Sequence, residues 1–165
     1  MIIVLPYMTQ IEKLAKLFDH IKEEWKKDSQ IDFDIKDGVY SENLSVISLD
    51  TPFQHNKYLN HHSDLSLMKV SLEFEFRKLI REKREYYGGE ADAKVYAEKP
   101  FGASIKTSEK MRVYLDSDKD ILDIESKIKL IDVMLSYLDN VMKMITQRNY
   151  LVKNAIEWEK FTNGL

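Results

Sequence analysis

From Ile121 to Ile156 apolar residues return in steps of three and four: Ile121, Ile124, Ile128, Ile131, Leu135, Leu138, Met142, Ile145, Val152 and Ile156, with Asn149 the one polar residue in register. That rhythm is a sustained a/d heptad and predicts a long helix. A lone polar Asn at such a position fixes register and oligomer state at some cost in stability. A second ladder runs beside the first: Leu130, Met134, Tyr137, Val141, Met144, Leu151, Ala155 and Trp158, interrupted at Arg148. With the first set at a and d, the second falls at c and g. A two-stranded coiled coil needs one seam, so two seams imply partners on both sides. One seam packs on the chain's own helices while the other meets a neighbour, or both serve a ring or barrel of helices. The plainer alternative is a bundle helix with a wide apolar stripe. Asp116-Ser117-Asp118 opens this helix, since short oxygen-bearing side chains cap free N–H groups and carboxylates suit the positive end of the helix dipole.

The rest of the chain is patterned less regularly. Ile11, Leu14, Phe18, Ile21 and Trp25 predict a first helix over 11–27. Residues 28–50 break the pattern and read as an acidic connector with one short β-like run, Leu44 to Leu49. Thr51-Pro52 reads as a helix start, Thr as N-cap and Pro at the first helical position. The second helix then runs to Tyr87, with a break expected near His61-His62-Ser63-Asp64. Leu65, Met68, Leu72, Phe76, Leu79 and Tyr86 line one stripe of it, and Gly88-Gly89 ends it. Residues 90–110 read as a mobile loop and Met111 to Leu115 as a short strand. The expected fold is therefore mostly α: long helices, a two-seam C-terminal helix assembling into a helical ring or barrel oligomer, and short strands confined to connectors. The expected division is 1–50 as N-terminal arm, helix and acidic connector, and 51–165 as a helical core that carries the oligomerisation seams, one domain overall.

Composition narrows the function classes. The chain has 165 residues, 44% hydrophobic and 32% charged, with five Gly, three Pro and no Cys. One helical domain fits that length and balance. A net charge of -3 excludes a globally basic nucleic-acid coat, so any nucleic-acid contact is a local basic patch on an acidic body. Without Cys there is no disulfide framework, thiol nucleophile or Cys-based zinc site, which fits a reducing cytoplasm. The apolar start, Met1 to Met8, is too short to span a bilayer and lacks a basic n-region, so it reads as a docked strand or arm, with no membrane partner.

Chemistry-bearing motifs are few. The five glycines make neither a Walker loop nor a dinucleotide fingerprint. Asp116, Asp118 and Asp120 resemble the start of a calcium loop, but the sixth and twelfth positions are Ile121 and Lys127 instead of Gly and Glu. His61-His62 do not share a helix face and read as a surface pair. No catalytic constellation, metal site or cofactor is expected. The remaining cluster is the basic run at the end of the second helix: Arg77, Lys78, Arg81, Lys83 and Arg84, followed by Tyr86 and Tyr87 and the glycine pair. Basic side chains hold phosphates and aromatic rings stack on unpaired bases. The competing reading is a solvated face laced by ion pairs such as Glu73 with Arg77 and Arg81 with Glu85. Assembly favours the first, because a ring repeats a modest patch along one strand.

At these residues the chain resembles the UvsY family, the recombination mediators of large tailed phages. Tyr58-Leu59-Asn60-His61-His62-Ser63, the basic run into Tyr86-Tyr87-Gly88-Gly89, and Asp116-Ser117-Asp118-Lys119-Asp120-Ile121-Leu122 carry the resemblance by their succession and spacing. A weaker echo lies in Glu24-Trp25-Lys26-Lys27-Asp28 followed by Ile31-Asp32. It covers roughly residues 23–164; the apolar N-terminal extension and the longer connector around 34–51 depart from the family pattern. The resemblance implies a ring of six or seven subunits that binds single-stranded DNA. It also implies loosening of the single-strand-binding protein and help for a RecA-like recombinase in nucleating its filament, in the host cytoplasm, without hydrolysing anything. The family's DNA-binding basic residues fall on Arg81 and Lys83. The alternative from another class is a structural or adaptor oligomer that binds no nucleic acid.

Overall fold

The long C-terminal helix forms as its pattern dictates. In the computed structural model, which describes residues 9–30, 44–162 and 164, five helices follow one another: α1 (Gln10–Asp28), α2 (Leu44–Gly88), α3 (Ala93–Glu98), α4 (Ser108–Asp116) and α5 (Lys119–Thr162). Each of α2 and α5 is about 65 Å long at 1.5 Å per residue. No strand occurs among the described residues. The expected arm over 1–8 and most of the 34–51 connector lie outside them.

Helices α2 and α5 lie antiparallel along much of their length. A ladder of polar contacts gives the register: Lys83 faces Asp120, Lys69 faces Asp132 at 2.7 Å, His62 faces Asp139 at 3.4 Å, and Gln54 faces Arg148 at 2.8 Å. Between these rungs the first apolar seam of α5 is closed. Ile131, Leu138, Ile145 and Val152, spaced by sevens, are buried within the single chain, as are Tyr58 and Leu65 of α2. Ile124, Ile128, Leu135, Met142 and Ile156 are half-buried, and Asn149 is exposed.

The second seam of α5 receives α1. Met134 and Val141 are buried with Leu14 and Ile21 of α1, and the Phe18 and Tyr137 rings meet edge to face at 5.4 Å. Arg148 interrupts this seam because α1 ends there: its Nη1 donates to the Asp28 carbonyl at 2.9 Å and to Gln54 Oε1. Lys57 and the Tyr58 hydroxyl both donate to Asp28 at 2.9 Å, and His61 meets Glu24 at 3.1 Å, so α1 runs antiparallel to α2. Beyond Arg148, among the described residues, only α2 and α5 continue. There the apolar residues emerge: Val46, Leu49 and Phe53 on α2, and Tyr150, Leu151, Trp158 and Phe161 on α5, are exposed.

Several local expectations differ from the structure. The β-like run Leu44 to Leu49 is the first turns of α2, and Pro52 sits inside the helix. The missing N–H of Pro52 leaves the Ser48 carbonyl without its usual donor, while Thr51 Oγ1 bonds back to the Ile47 carbonyl at 3.1 Å. Tertiary pairing with α5 overrides both the cap signal and the β-branched residues. The helix is also continuous through His61-His62, which point to separate acids on α1 and α5. Met111 to Leu115, expected as a strand, belongs to α4, where Leu115 is buried. The expected caps at the far ends hold: Gly89 takes φ +81, and Asp118 Oδ1 accepts from the Asp120 and Ile121 N–H groups at 2.9 and 3.3 Å.

Candidate nucleic-acid interface

The basic run rides on the last turns of α2, where the helix outlasts α1 and is flanked by α4 and the start of α5. Its members divide into two sets. Arg77, Lys78, Arg81 and Arg84 are exposed. Arg77 lies over the Phe74 ring, 5.5 Å from its centroid, and Glu73 pairs with Lys69 instead. Lys78 reaches Glu82 at 3.8 Å and Arg81 reaches Glu85 at 3.9 Å, both loose i,i+4 contacts in solvent. Such exposed pairs contribute only tenths of a kcal/mol, about 0.3–0.5 each, and yield readily to a phosphate. Arg84 has no carboxylate within ion-pair distance among the described residues.

Lys83, Tyr86 and Tyr87 face the protein. Lys83 Nζ lies 2.9 Å from Asp118 and 2.5 Å from Asp120, and only 18% of its side chain is exposed. The Tyr87 hydroxyl donates to Asp118 Oδ2 at 2.6 Å. Burial alone would raise the Asp118 pKa, but the hydrogen bonds from Lys83 and Tyr87, a backbone N–H and the Lys83 charge outweigh it and hold it below the ordinary value. The same contacts raise Lys83 against its own burial, and burial with the Asp118 bond pushes Tyr87 up to about 12. The Asp118 carboxylate thus caps α5 with one oxygen and ties the end of α2 to it with the other. This second role was missed in the sequence, because nothing local pairs residue 83 with residue 118.

The tyrosine rings belong to an aromatic cluster. Tyr86 stacks on Tyr96 at 5.6 Å and meets Tyr87 at 5.1 Å; Phe101 touches both, and Tyr114 touches Tyr87 and Phe101. The Tyr96 hydroxyl bonds the Tyr86 carbonyl at 2.7 Å, and the Tyr86 hydroxyl bonds the Lys99 carbonyl at 3.2 Å. This cluster folds 90–107 back onto α2, where the sequence suggested a mobile loop. The return is fixed at the helix end: the Ile105 N–H donates to the Tyr87 carbonyl at 2.9 Å, and Ser104 Oγ to the Gly88 carbonyl at 2.7 Å. Substitution at Gly89 is restricted twice over, by its positive φ and by Ser104 Oγ, 3.0 Å from where a Cβ would stand.

Among the described residues there is no group of His, Asp and Glu able to hold a metal, and no helix is long and apolar enough to cross a membrane. The site offers cations and hydrogen-bond donors on a rigid helix end, an arrangement suited to holding a polyanion.

Comparison with known proteins agrees in extent. The family described as "Recombination, repair and ssDNA binding protein UvsY" matches residues 24–165. Recombination protein uvsY of Enterobacteria phage T4 is 22% identical over 146 residues, covering 88% of this chain and 97% of that protein. Two crystal forms of the bacteriophage T4 recombination mediator protein UvsY share the fold. One superimposes with a TM-score of 0.73 at 22% identity, covering 87% of this chain and 98% of that one. The other gives 0.71 at 19% identity, covering 95% and 99%. With all but the first stretch of its length matched, the chain belongs to the UvsY family.

Proposed function

We propose that this protein is a homo-oligomeric recombination mediator that binds single-stranded DNA. In this reading it helps a RecA-like recombinase load onto DNA covered by single-strand-binding protein, in the host cytoplasm. The observation that carries the reading is the exposed arginine face of α2, Arg77, Arg81 and Arg84, in a chain of a family described by recombination, repair and ssDNA binding. Arginine forks bind phosphate oxygens irrespective of base, which suits a strand of any sequence. Lys83, Tyr86 and Tyr87 act in this reading by holding the helix end in place.

Assembly follows from the two-helix extension. Past Arg148, Leu151, Trp158 and Phe161 are exposed, and no third helix among the described residues covers them. A second copy offers the matching surface, and six or seven copies closing on one another repeat the arginine face around a ring. Repeated weak phosphate contacts then add through effective concentration, enough to bend a strand and strip it locally of its first occupant without ATP. The chain itself binds and positions; turnover belongs to the recombinase.

The test is the lag in the recombinase's DNA-dependent ATPase on strands pre-coated with the cognate single-strand-binding protein. The parent should shorten it and an Arg81→Ala/Arg84→Ala variant should not. An unshortened lag with the parent refutes the mediator role. A second reading, an adaptor oligomer without nucleic acid, is favoured by the Lys78–Glu82 and Arg81–Glu85 pairs. Absence of any salt-dependent affinity for oligo-dT would support it instead.

A further inference from the structure

Opposite the arginine face lies a second wall. The return segment and α4 stand beside the last turns of α2 and leave an open groove of about 630 Å³ lined by Arg81 and Arg84 from one side and by Lys106 and Arg112 from the other. The groove is a built feature. Ile105 and Leu115 are buried beneath it, and the Ile105 and Ser104 hydrogen bonds fix the return to the end of α2. Lys106 Nζ donates to the Gly88 carbonyl at 3.1 Å, at the negative end of the helix dipole.

Three carboxylates, Glu85, Glu90 and Asp116, also line the groove. Two of them are matched by loose surface pairs, Arg81 with Glu85 at 3.9 Å and Arg112 with Asp116 at 3.4 Å. Arg84 and Lys106 have no carboxylate within ion-pair distance among the described residues; Lys106 meets only a neutral carbonyl. Arg112 is 83% exposed. A phosphodiester entering the groove meets two cations without a salt-bridge partner and two more whose present partners hold them weakly.

We propose that a single-stranded DNA backbone runs through this groove, with Lys106 and Arg112 supplying phosphate contacts across from Arg81 and Arg84. The inference rests on the single-strand-binding reading above and adds a second wall to it. The carboxylates act as displaceable occupants: binding exchanges Asp116 for a phosphate at Arg112. Removing that acid charge therefore tightens binding, an outcome that a strand lying along α2 alone does not require.

The experiment is anisotropy of labelled oligo-dT across a salt series, on full-length protein whose helix content and solution mass match the parent. Arg112→Gln should weaken binding and lower the slope of log affinity against log salt by about 0.7 for each subunit engaged, and Lys106→Gln/Arg112→Gln by about 1.4. Asp116→Asn should raise affinity. Lys27→Gln/Lys143→Gln, with the same change in net charge away from the groove, should leave the slope as it was. Because Lys106 also holds the Gly88 carbonyl, Arg112→Gln decides the matter if the double variant misfolds. Parent-like affinity and slope in Arg112→Gln, with loss in Arg81→Gln/Arg84→Gln, would overturn the groove and leave single-strand binding standing. Equal loss in the Lys27/Lys143 variant would also overturn it, as an effect of net charge. A parent with no salt-dependent affinity would remove both readings.

Discussion

Lys83→Ala tests whether Lys83 holds the fold or is free to hold phosphate. Lys83 is largely enclosed and contacts two carboxylates, Asp118 at 2.9 Å and Asp120 at 2.5 Å. Asp118 has only 5% of its side chain exposed, whereas Asp120 is more than half exposed and can turn to water. The cost of the substitution is therefore set by Asp118. That carboxylate keeps the Tyr87 hydroxyl and two backbone N–H groups, so it loses one charged partner of several. A hydrogen bond to a charged group contributes about 1.5–3 kcal/mol. The retained bonds place the loss near the middle, about 2 kcal/mol, short of the roughly 3–5 kcal/mol for stripping a buried charge of its only partner. Urea unfolding followed by circular dichroism should show a lower midpoint with an unchanged slope. Arg81→Ala, which loses only a loose surface contact, should stay within about 0.5 kcal/mol of the parent. An unchanged midpoint for Lys83→Ala would refute the latch and return Lys83 to the set of side chains free to hold phosphate.

Leu138→Ala removes a fully buried side chain from the α2–α5 seam and should cost about 2–5 kcal/mol, read from the same unfolding curves. Trp158→Ser with Phe161→Ser should lower the mass in solution by sedimentation while helix content stays near the parent's, since both side chains are exposed in the single chain. The Asp118 pKa is depressed, so its contribution is fully present above the ordinary value of 3.8 and is lost as pH falls through its lower folded value. Asp28 behaves alike: burial opposes ionisation, and Lys57, Tyr58 and the Arg148 charge outweigh it. Acid unfolding of Asp118→Asn should accordingly show a shallower loss of stability below that pH.

The helices with a strict three-four rhythm and their own caps were legible. α5 could be read from its ladders and Asp118, α1 from Ile11 to Trp25, and the stop of α2 from its glycine pair, because each signal is local. The start of α2 was not. Thr51-Pro52 imitates a helix start, and only the antiparallel partner far along the chain makes residues 44–50 helical. The two seams of α5 were visible, but not their allocation. Among the described residues, one chain closes the first with α2 and much of the second with α1, leaving Met144 and then Leu151 and Trp158 of the second exposed. In the basic run, residue type was legible and side-chain direction was not. Lys83 and Arg84 are neighbours in sequence, yet one turns to Asp118 and the other to solvent. Lys106 was hidden in the polar stretch 90–110 and Arg112 in the run 111–115 expected as a strand; the folding of both depends on scattered aromatics, Tyr96, Phe101 and Tyr114, with no period to reveal them.

The central claim is that repeated arginine faces on an assembled chain make covered single-stranded DNA available to a recombinase. The most direct measurement is the ATPase lag on pre-coated strands with three proteins side by side: the parent, Arg81→Ala/Arg84→Ala, and Trp158→Ser/Phe161→Ser. The account predicts a shortened lag with the parent alone, because one variant lacks the phosphate contacts and the other lacks their repetition. A Trp158/Phe161 variant that is smaller in solution yet shortens the lag as well as the parent would contradict the role of assembly. An unshortened lag with the parent would contradict the account as a whole.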